Sequence, residues 1–413
     1  MESINAPKVV VVSYYSGLEG YVSSEWADDK GLGLKSLGFS TILLTSKSGR
    51  PDSKLWGEIH QVSSISWIDF QRELKDCKLE NSDVNGGTRL IVATLGRMLD
   101  WLEKAVLGVH SDGRLTWFLS ALPLAIKLAL ENPKSVFLFL GGPSSSHLLS
   151  LVVGGIFRRR CISELQDPLF SKHMAVSKVA EFSLKILEGL LLKVNAKLVL
   201  TSETAAREFN FRHASKNKLA ETIIPGSPLR TLSLPLQNEP QNLFDLTFVH
   251  IGTLYGSRNL NQILEAISSI ENQLGELTVG IRNIGYVEKS LVERYEADSR
   301  VDLLPPTSRQ EALSIASKCN ATLLIQHNDA RSEVTIPYKI FDYLNLELPC
   351  LAFVKSAELR GLSETWGLQT ISVDSDVAET ASLVLEFIMT LKNRDVPSKI
   401  SFEEQVSKLM DIG

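Results

Sequence analysis

The sequence contains few of the residues from which metal and redox sites are built. Only 4 of its 413 residues are cysteine and 7 are histidine. The cysteines stand far apart, and no pair of them has the spacing of a metal-binding or redox motif. We therefore expect structural thiols in a reducing compartment. The four are Cys77, Cys161, Cys319 and Cys350.

An excess of positive charge and a long hydrophobic run are also missing. The formal net charge is -5, which argues against a nucleic-acid-binding protein. Segment 1–7 lacks the basic and apolar regions of a signal peptide. The apolar stretches at 115–126 and 148–157 are shorter than the ~20 residues needed to span a bilayer. These absences favour a cytoplasmic protein.

Both apolar stretches are expected to form buried helices. The second one runs into three arginines at 158–160. Apolar residues next to a basic cluster also suit a helix that lies on an anionic membrane surface. Peripheral contact with the inner membrane face is therefore the alternative for this segment.

What the sequence does contain is a strand–loop–helix–strand pattern that occurs twice. Residues 8–13 form a continuous apolar run, as expected of a parallel strand buried on both faces, and residues 246–251 begin the same succession again. The chain length suits two domains. We predict an α/β fold with two tandem, doubly wound, Rossmann-like domains.

A proline-rich segment separates the two halves. Four prolines punctuate residues 225–240, where little periodicity is visible. Reading this segment as an interdomain linker, we predict domains at 1–228 and 229–395. We expect the terminal segment, 396–413, to pack back on the first domain.

The segment 336–344 has the features of an anion-binding helix start. Pro337 suits the first helical position. Lys339 then adds a cation to the positive end of the helix dipole, which is easier to understand if an anion binds there. Asp342 shares a helix face with Lys339. A lysine for a phosphate and a carboxylate for sugar hydroxyls suit a nucleotide-sugar site; alternatively, the two form an ion pair on a solvated face.

Four residues of the first half are weaker candidates for binding or catalysis. Gly17 and Gly20 form a Gly-x-x-Gly loop after the first strand, which is also typical of a simple turn. His147 opens a helix, where it either contacts substrate or makes a structural bond. Asp167 follows a predicted strand end, where ligands gather in open α/β sheets, but it also suits an ordinary Asp-Pro turn.

Three segments, in order and spacing, resemble one enzyme family. The first is Pro337-x-Lys339-x-x-Asp342-Tyr343-Leu344, with Pro349 seven residues after the acid. The second is the strand and glycine loop at 250–260, and the third comprises the turns at 142–148 and 164–168. Together they resemble the GT-B glycosyltransferases, and within them the large retaining family four, with bacterial members of surface-polysaccharide pathways.

The resemblance implies a metal-independent, retaining transferase without a cofactor. Its donor would be a nucleotide-diphosphate sugar, and its acceptor a growing glycan or a lipid-linked glycan. Arg258 and Lys339 would stabilise the leaving diphosphate, and Asp342 would accept ribose hydroxyls. The phosphate loop would contain Gly252 and Thr253. The resemblance also implies that the two domains face a cleft, with the Gly-x-x-Gly loop at that cleft.

Some positions depart from the family pattern. The position of the family's first glutamate holds Val334, with Glu333 beside it, and the second glutamate is replaced by Asp342. Thr253 and Gln166 stand where arginines are common. A GT-B sugar-nucleotide epimerase or hydrolase, or a catalytically silent partner of an active transferase, therefore remains an alternative.

An Asp-x-Asp sequence at 374–376 matches a metal-binding pattern of another glycosyltransferase fold. We interpret Asp376 instead as the N-cap of the helix that begins at Val377. No cluster of histidine, cysteine or acidic residues has metal-ligand spacing, so no metal site is predicted.

Overall fold

Two parallel sheets organise the chain. The structure is a computed structural model that describes residues 7–18, 20–64, 94, 97–98, 101–102, 115–141, 144–172, 177–214, 218–227, 243–391 and 397–411. The chain divides into two compact units, Met1–Ile224 with Glu403–Gly413, and Pro225–Phe402. Residues 228–242, which contain most of the predicted linker, lie outside the described residues.

The first unit contains a parallel sheet with strand order β3-β2-β1-β4-β5-β6-β7. Its strands are β1 Lys8–Ser13, β2 Ser40–Ser46, β3 Glu58–Val62, β4 Val136–Leu140, β5 Arg160–Leu165, β6 Lys197–Leu200 and β7 Glu221–Thr222. Its described helices are α1 Val22–Ser36, α2 Leu115–Glu131, α3 Ser144–Gly155, α4 Lys178–Val194 and α5 Glu203–Arg212. The valines of β1 are all buried, because strands flank β1 on both sides and helices cover both sheet faces.

The second unit contains a parallel sheet with strand order β10-β9-β8-β11-β12-β13. Its strands are β8 Leu246–Ile251, β9 Val279–Ile284, β10 Val301–Leu304, β11 Ala321–Ile325, β12 Cys350–Val354 and β13 Gln369–Ser372. Its helices are α6 Asn261–Leu274, α7 Lys289–Glu296, α8 Arg309–Ala316, α9 Lys339–Leu346, α10 Ala357–Thr365 and α11 Val377–Thr390, with a 3₁₀ turn at Ala330–Val334. The last helix of the chain is α12 Phe402–Met410.

Strand order reverses once in each sheet, between β1 and β4 and between β8 and β11. This is the doubly wound arrangement, in which ligands bind beyond the carboxyl ends of the strands at the reversal. The predicted fold class is confirmed. In the second unit, the loops after β8 and β11 occupy this position.

The apolar stretches of the first unit are helices packed on the sheet. Residues 115–126 lie in α2 and residues 148–155 in α3, where Leu149 and Val153 are fully buried. Among the described residues, no helix combines the length and hydrophobicity needed to cross a membrane.

The cysteines within the described residues are free and buried, namely Cys161, Cys319 and Cys350. Burial raises the pKa of Cys161 and of Cys350 to about 12. Thiols that stay protonated at neutral pH are unreactive, which is what structural thiols require. Cys77 lies outside the described residues.

The end of the chain makes polar contacts within the first unit. Lys197 Nζ donates hydrogen bonds to the main-chain oxygens of Lys408 and Asp411, each at 2.7 Å. Lys197 itself is almost buried. Its charge therefore holds the carboxyl end of α12, where a cation also complements the helix dipole.

Candidate functional site

The site in the second unit is built around Lys339, the first residue of α9. Its side chain is half-buried and extends to β8, where Nζ lies 3.2 Å from Nε2 of His250. Desolvation, and next the charge of Arg258, hold the pKa of Lys339 well below its usual value. A lysine whose charged form is disfavoured in this way suits a place that an anion will occupy.

His250 presents a lone pair to this lysine. Asn283 Nδ2 faces the main-chain oxygen of Gly285, so its Oδ1 is the atom 2.7 Å from Nδ1 of His250. Because an amide oxygen only accepts, Nδ1 carries the proton and Nε2 accepts from Lys339. Burial, together with the charge of Lys339, keeps the pKa of His250 well below its usual value. The imidazole is therefore neutral and orients the ammonium group.

Arg258 supplies a second cation in the loop after β8. Its guanidinium lies over the ring of Tyr255, 5.7 Å from the ring centroid, and its buried Nε has no hydrogen-bond partner among the described residues. Desolvation lowers the pKa of Arg258. Within the described part of the chain, no carboxylate forms a salt bridge with Arg258 or with Lys339. Two desolvated cations without a carboxylate partner can bind a doubly charged anion.

Glycines let the main chain at the end of β8 approach Lys339. Gly252 has φ +131°, and a Cβ at this position would lie 2.7 Å from Lys339 Nζ. A Cβ on Gly285 would lie 2.5 Å from the main-chain oxygen of Gly252. Tyr343 of α9 accepts a hydrogen bond from the main-chain nitrogen of Ile251 at 2.8 Å. The start of α9 and the end of β8 are thus fixed together, and the structure brings Lys339, Gly252 and the adjoining Thr253 to one place.

Asp342 is not paired with Lys339, contrary to the ion-pair alternative drawn from their spacing. Both carboxylate oxygens accept from Arg309, with Nε at 3.1 and 3.0 Å, and Arg309 Nη2 also bonds Oδ1. Arg309 and Asp342 are 6% and 12% exposed. Arg309 therefore fixes the orientation of the Asp342 carboxylate. Arg309 was missed, although it stands in the first turn of α8, as Lys339 does in α9.

The buried side chain of Gln326, which the sequence did not single out, fixes the 3₁₀ turn that carries Glu333. Gln326 Nε2 donates to the main-chain oxygens of Ser332 and Thr335, each at 3.3 Å. Its Oε1 accepts from the main-chain nitrogens of Lys355 and Ser356. Val334, next to Glu333, stands where the glycosyltransferases that the motifs resemble have their first glutamate. It is 1% exposed and belongs to the core, so this position has a structural role here.

A small cavity of mixed polar and apolar lining lies beside the loop after β8. It has a volume of about 160 Å³ and is lined by residues of that loop, of α6 and of the ends of β11, β12 and β13. Ser257 Oγ at its edge accepts from the main-chain nitrogen of Asn328 and lies 3.2 Å from His327 Nδ1. Burial, and next the charge of Arg258, lower the pKa of His327 to about 4, so this histidine is neutral at physiological pH.

The Asp-x-Asp sequence has structural contacts. Asp376 caps α11 by accepting from the main-chain nitrogen of Glu379 at 2.8 Å, which confirms the N-cap prediction. Asp374 accepts from Lys355 Nζ at 2.7 Å. Within the described ranges, no group of three or more histidine, cysteine or acidic side chains could hold a metal ion.

The two glycines of the first unit differ in their surroundings. Gly17 has φ +68°, and a Cβ there would lie 2.1 Å from the main-chain carbon of Arg50. Gly17 N also donates to Asp28 Oδ2 at 3.0 Å. Gly20 has φ +74° but faces open space. Gly17 is therefore required for the turn itself, whatever the loop binds.

His147 is completely buried in the first turn of α3. Its Nε2 lies 3.2 Å from the main-chain oxygen of Gly141 and must carry the proton, whereas Nδ1 has no hydrogen-bond partner within the described residues. Burial lowers the pKa of His147 to about 4. The structural bond foreseen as one interpretation is present, and the unpaired Nδ1 leaves a second role open.

Asp167 is exposed just beyond β5. The chain after it is anchored at Phe170, whose main-chain oxygen accepts from Arg212 Nη2 at 2.8 Å. Arg212 is held in turn by the fully buried Glu188 at 2.9 Å. The predicted turn thus presents Asp167 from a firmly held loop at the carboxyl end of the sheet.

Comparison with known proteins supports the fold. No protein-family model matches the sequence, and no curated protein matches it. Among solved structures, the chain is similar to HepE of Anabaena in complex with UDP, with a TM-score of 0.58, 11% identity, and 98% of this chain and 96% of that chain covered. It is also similar to sucrose-phosphate synthase of Thermosynechococcus elongatus, with a TM-score of 0.56, 11% identity, and 98% and 95% covered.

A putative UDP-N-acetylglucosamine 2-epimerase of Listeria monocytogenes is similar as well, with a TM-score of 0.55, 11% identity, and 98% and 95% of the two chains covered. At such low identity, the likeness concerns the fold alone. The architecture is GT-B, with two tandem Rossmann-like units.

Proposed function

We propose that the chain is a retaining glycosyltransferase that moves a sugar from a nucleotide-diphosphate sugar to a glycan or lipid-linked acceptor in polysaccharide biosynthesis. The observation that carries the proposal is the pair of desolvated cations, Lys339 beside the backbone of Gly252 and Arg258 in the loop after β8. Neither has a carboxylate partner among the described residues. An anion with two phosphates would supply the missing charge.

The chemistry requires charge stabilisation where the donor breaks. As the bond between the anomeric carbon and the diphosphate oxygen cleaves, negative charge grows on the leaving diphosphate. Lys339 and Arg258 stabilise that charge through charge-assisted hydrogen bonds. Thr253 donates its main-chain N–H to a phosphate. Gly252, whose own N–H donates to the main-chain oxygen of Ile284 at 2.8 Å, leaves room for the ligand. No metal or cofactor is needed for this step.

The remaining candidates receive roles around the same donor. Asp342, oriented by Arg309, accepts a ribose hydroxyl, and Glu333 faces the sugar from its fixed turn. For the first unit, the motif resemblance is the support for assigning the loop of Gly17 and Gly20 to phosphate binding, and His147 and Asp167 to the transferred sugar or the acceptor. The retaining outcome rests on the motif resemblance around Lys339.

The solved structures that this chain resembles favour a uridine nucleotide as the first ligand to test. HepE of Anabaena has been crystallised with UDP and with UDP-glucose. We propose a cytoplasmic enzyme that contacts the membrane peripherally to reach a lipid-linked acceptor.

Calorimetry with UDP and UDP-glucose tests the proposal. Wild-type protein should bind UDP, and Lys339→Ala should weaken binding by roughly a hundredfold, because a charge-assisted contact in a desolvated site is lost. Lys355→Ala serves as the control, since Lys355 is ion-paired with Asp374. Binding of UDP to Lys339→Ala with wild-type affinity would contradict the site assignment.

The likeness to the Listeria epimerase supports a second candidate, action on the donor alone. Incubating the protein with UDP-N-acetylglucosamine without an acceptor separates the two functions. Formation of an epimer or of free sugar would favour an epimerase or hydrolase. Transfer only when a glycan acceptor is added would favour the transferase.

A further inference from the structure

One face of α4 carries large apolar side chains that stay exposed. Val179, Phe182, Ile186 and Leu190 are spaced three or four residues apart, so they line one side of the helix. Their exposed fractions are 62%, 67%, 47% and 43%. The other side of α4 is buried in the first unit through Leu184, Leu187 and Leu191. The helix is therefore apolar on two sides, and only one of them is packed against the described residues.

The exposed charged residues of α4 itself, beside this stripe, are positive. The other exposed residues of α4 are Lys178 at its start and Lys193 at its end. Glu181 beside the stripe is neutralised by Lys185, with Nζ 2.5 Å from Oε1. The remaining acid of α4, Glu188, is fully buried. An occupant of this face must accept apolar side chains in the middle and match cations at both ends.

The surface continues onto the end of α3. A Cβ on Gly154 would lie 2.8 Å from the main-chain oxygen of Val194, so the glycine allows the ends of α3 and α4 to approach closely. Ile156, which is 70% exposed, lies at this end and is followed by the exposed Arg158 and Arg160. This junction places one exposed apolar side chain and two exposed cationic side chains near the carboxyl end of α4.

We propose that α4 docks on an anionic lipid surface, with its axis in the plane of the bilayer. Val179, Phe182, Ile186 and Leu190 enter the boundary between headgroups and acyl chains, and the lysines and arginines contact lipid phosphates. The 17 residues of α4 give a contact about 25 Å long. A lipid surface offers phosphates at any spacing, whereas a protein partner would need acids placed at both ends of an apolar groove.

The docking helix differs from the segment that the sequence indicated. Residues 148–157 were the sequence-based alternative for membrane contact, but Leu149, Ser150 and Val153 are buried and five others are half-buried. Of that segment, only Gly155 and Ile156 are exposed. The proposal does not depend on the diphosphate site, because it concerns a surface of the first unit and is measured without nucleotide.

Vesicle co-sedimentation of the full chain tests the proposal. Wild-type protein should sediment with vesicles of phosphatidylglycerol and phosphatidylcholine, but not with phosphatidylcholine alone, and added salt should weaken binding. Phe182→Ser with Ile186→Ser should reduce binding by at least roughly tenfold, because the apolar contact is lost. Lys178→Gln with Lys193→Gln should also reduce it by roughly tenfold.

Two control variants make the test specific. Phe211→Ser removes a side chain that is 86% exposed on α5, and Lys289→Gln removes an exposed charge on α7; neither should change binding. Thermal unfolding shows whether each variant is folded. The proposal is overturned if wild-type protein ignores anionic vesicles, or if folded Phe182→Ser with Ile186→Ser binds them as tightly as wild type. A wild-type dimer that these two changes dissociate, without vesicle binding, would identify the face as a self-association surface instead.

Discussion

The ammonium nitrogen of Lys339 lies 3.2 Å from Nε2 of His250, on the strand facing it. A neutral histidine thus serves as the acceptor that a carboxylate would ordinarily provide. A carboxylate would satisfy the lysine charge and remove the reason for an anion to bind. A neutral acceptor orients the lysine while leaving its charge uncompensated.

The first prediction concerns this acceptor. His250→Phe keeps a ring of similar size in the core but removes the lone pair that holds Lys339. We expect UDP binding to weaken by roughly tenfold, the value of one oriented hydrogen bond to a charged group. Titration calorimetry measures the change.

The matched variant is His250→Gln, whose amide oxygen can replace Nε2 as an acceptor. It should restore most of the affinity that His250→Phe loses. If the two variants bind UDP equally well, the histidine does not orient the lysine.

The second prediction links binding to stability. Lys339→Met removes a desolvated cation, so the free energy of unfolding at neutral pH should rise by roughly 1 kcal/mol while UDP binding is lost. The pKa of Lys339 is lower in the folded chain than its ordinary value of 10.5. The folded state therefore holds fewer protons than the unfolded state just below that value.

The sign of the pH dependence follows from this difference. Lys339 lowers the free energy of unfolding at neutral pH, and this destabilisation disappears as the pH rises toward 10.5. The stability advantage of Lys339→Met should therefore shrink as the pH is raised. Urea unfolding of both proteins across this range measures it, and a constant or growing advantage would argue against a desolvated lysine.

The sequence predicted the fold and part of this site for identifiable reasons. Buried parallel strands are continuous apolar runs, so β1 and β8 were visible directly. Lys339 stood out because a cation in a first helical turn opposes the dipole. Asn283 was not visible, because its contact with His250 depends on the register of β8 against β9, where the two residues are paired.

The same limit applies to Asp342. Its spacing from Lys339 suggested a shared helix face, but its partner, Arg309, lies 33 positions away in α8. Which of two nearby cations a carboxylate contacts depends on how the two helices pack. Sequence spacing within one helix carries no information about that packing.

The third prediction tests whether Asp342 binds ribose. If it accepts a ribose hydroxyl, wild-type protein should bind UDP more tightly than 2′-deoxy-UDP, by roughly tenfold for one lost hydrogen bond to a charged group. Asp342→Asn should lose most of this preference. Comparing both nucleotides on both proteins by calorimetry isolates the contact.

Loss of the Arg309 ion pair complicates this variant, so a control is needed. Arg309→Gln breaks the same ion pair from the other side and leaves the carboxylate in place. It should destabilise the chain by roughly 3 kcal/mol but keep a preference for UDP over the deoxynucleotide. An equal preference in wild type and Asp342→Asn would remove Asp342 from the ribose site.

The fourth prediction concerns His147 and acid stability. Burial lowers the pKa of His147 from 6.5 to about 4, so the unfolded chain binds its proton at a higher pH than the folded chain does. Stability must therefore fall as pH drops from 6.5 toward 4. For one such histidine, a fall of one pH unit within this window lowers the free energy of unfolding by about 1.4 kcal/mol.

His147→Gln separates this histidine from the others, since its amide can still donate to the oxygen of Gly141 but does not titrate. We expect the variant to lose about 2 kcal/mol less stability than wild type between pH 6.5 and about pH 5, as measured by urea unfolding. His213→Gln is the comparison, because His213 contacts the carboxylate of Glu188 at 3.2 Å. Parallel pH profiles for wild type and His147→Gln would mean that the buried ring accepts a proton freely, and its unpaired Nδ1 would then be open to solvent.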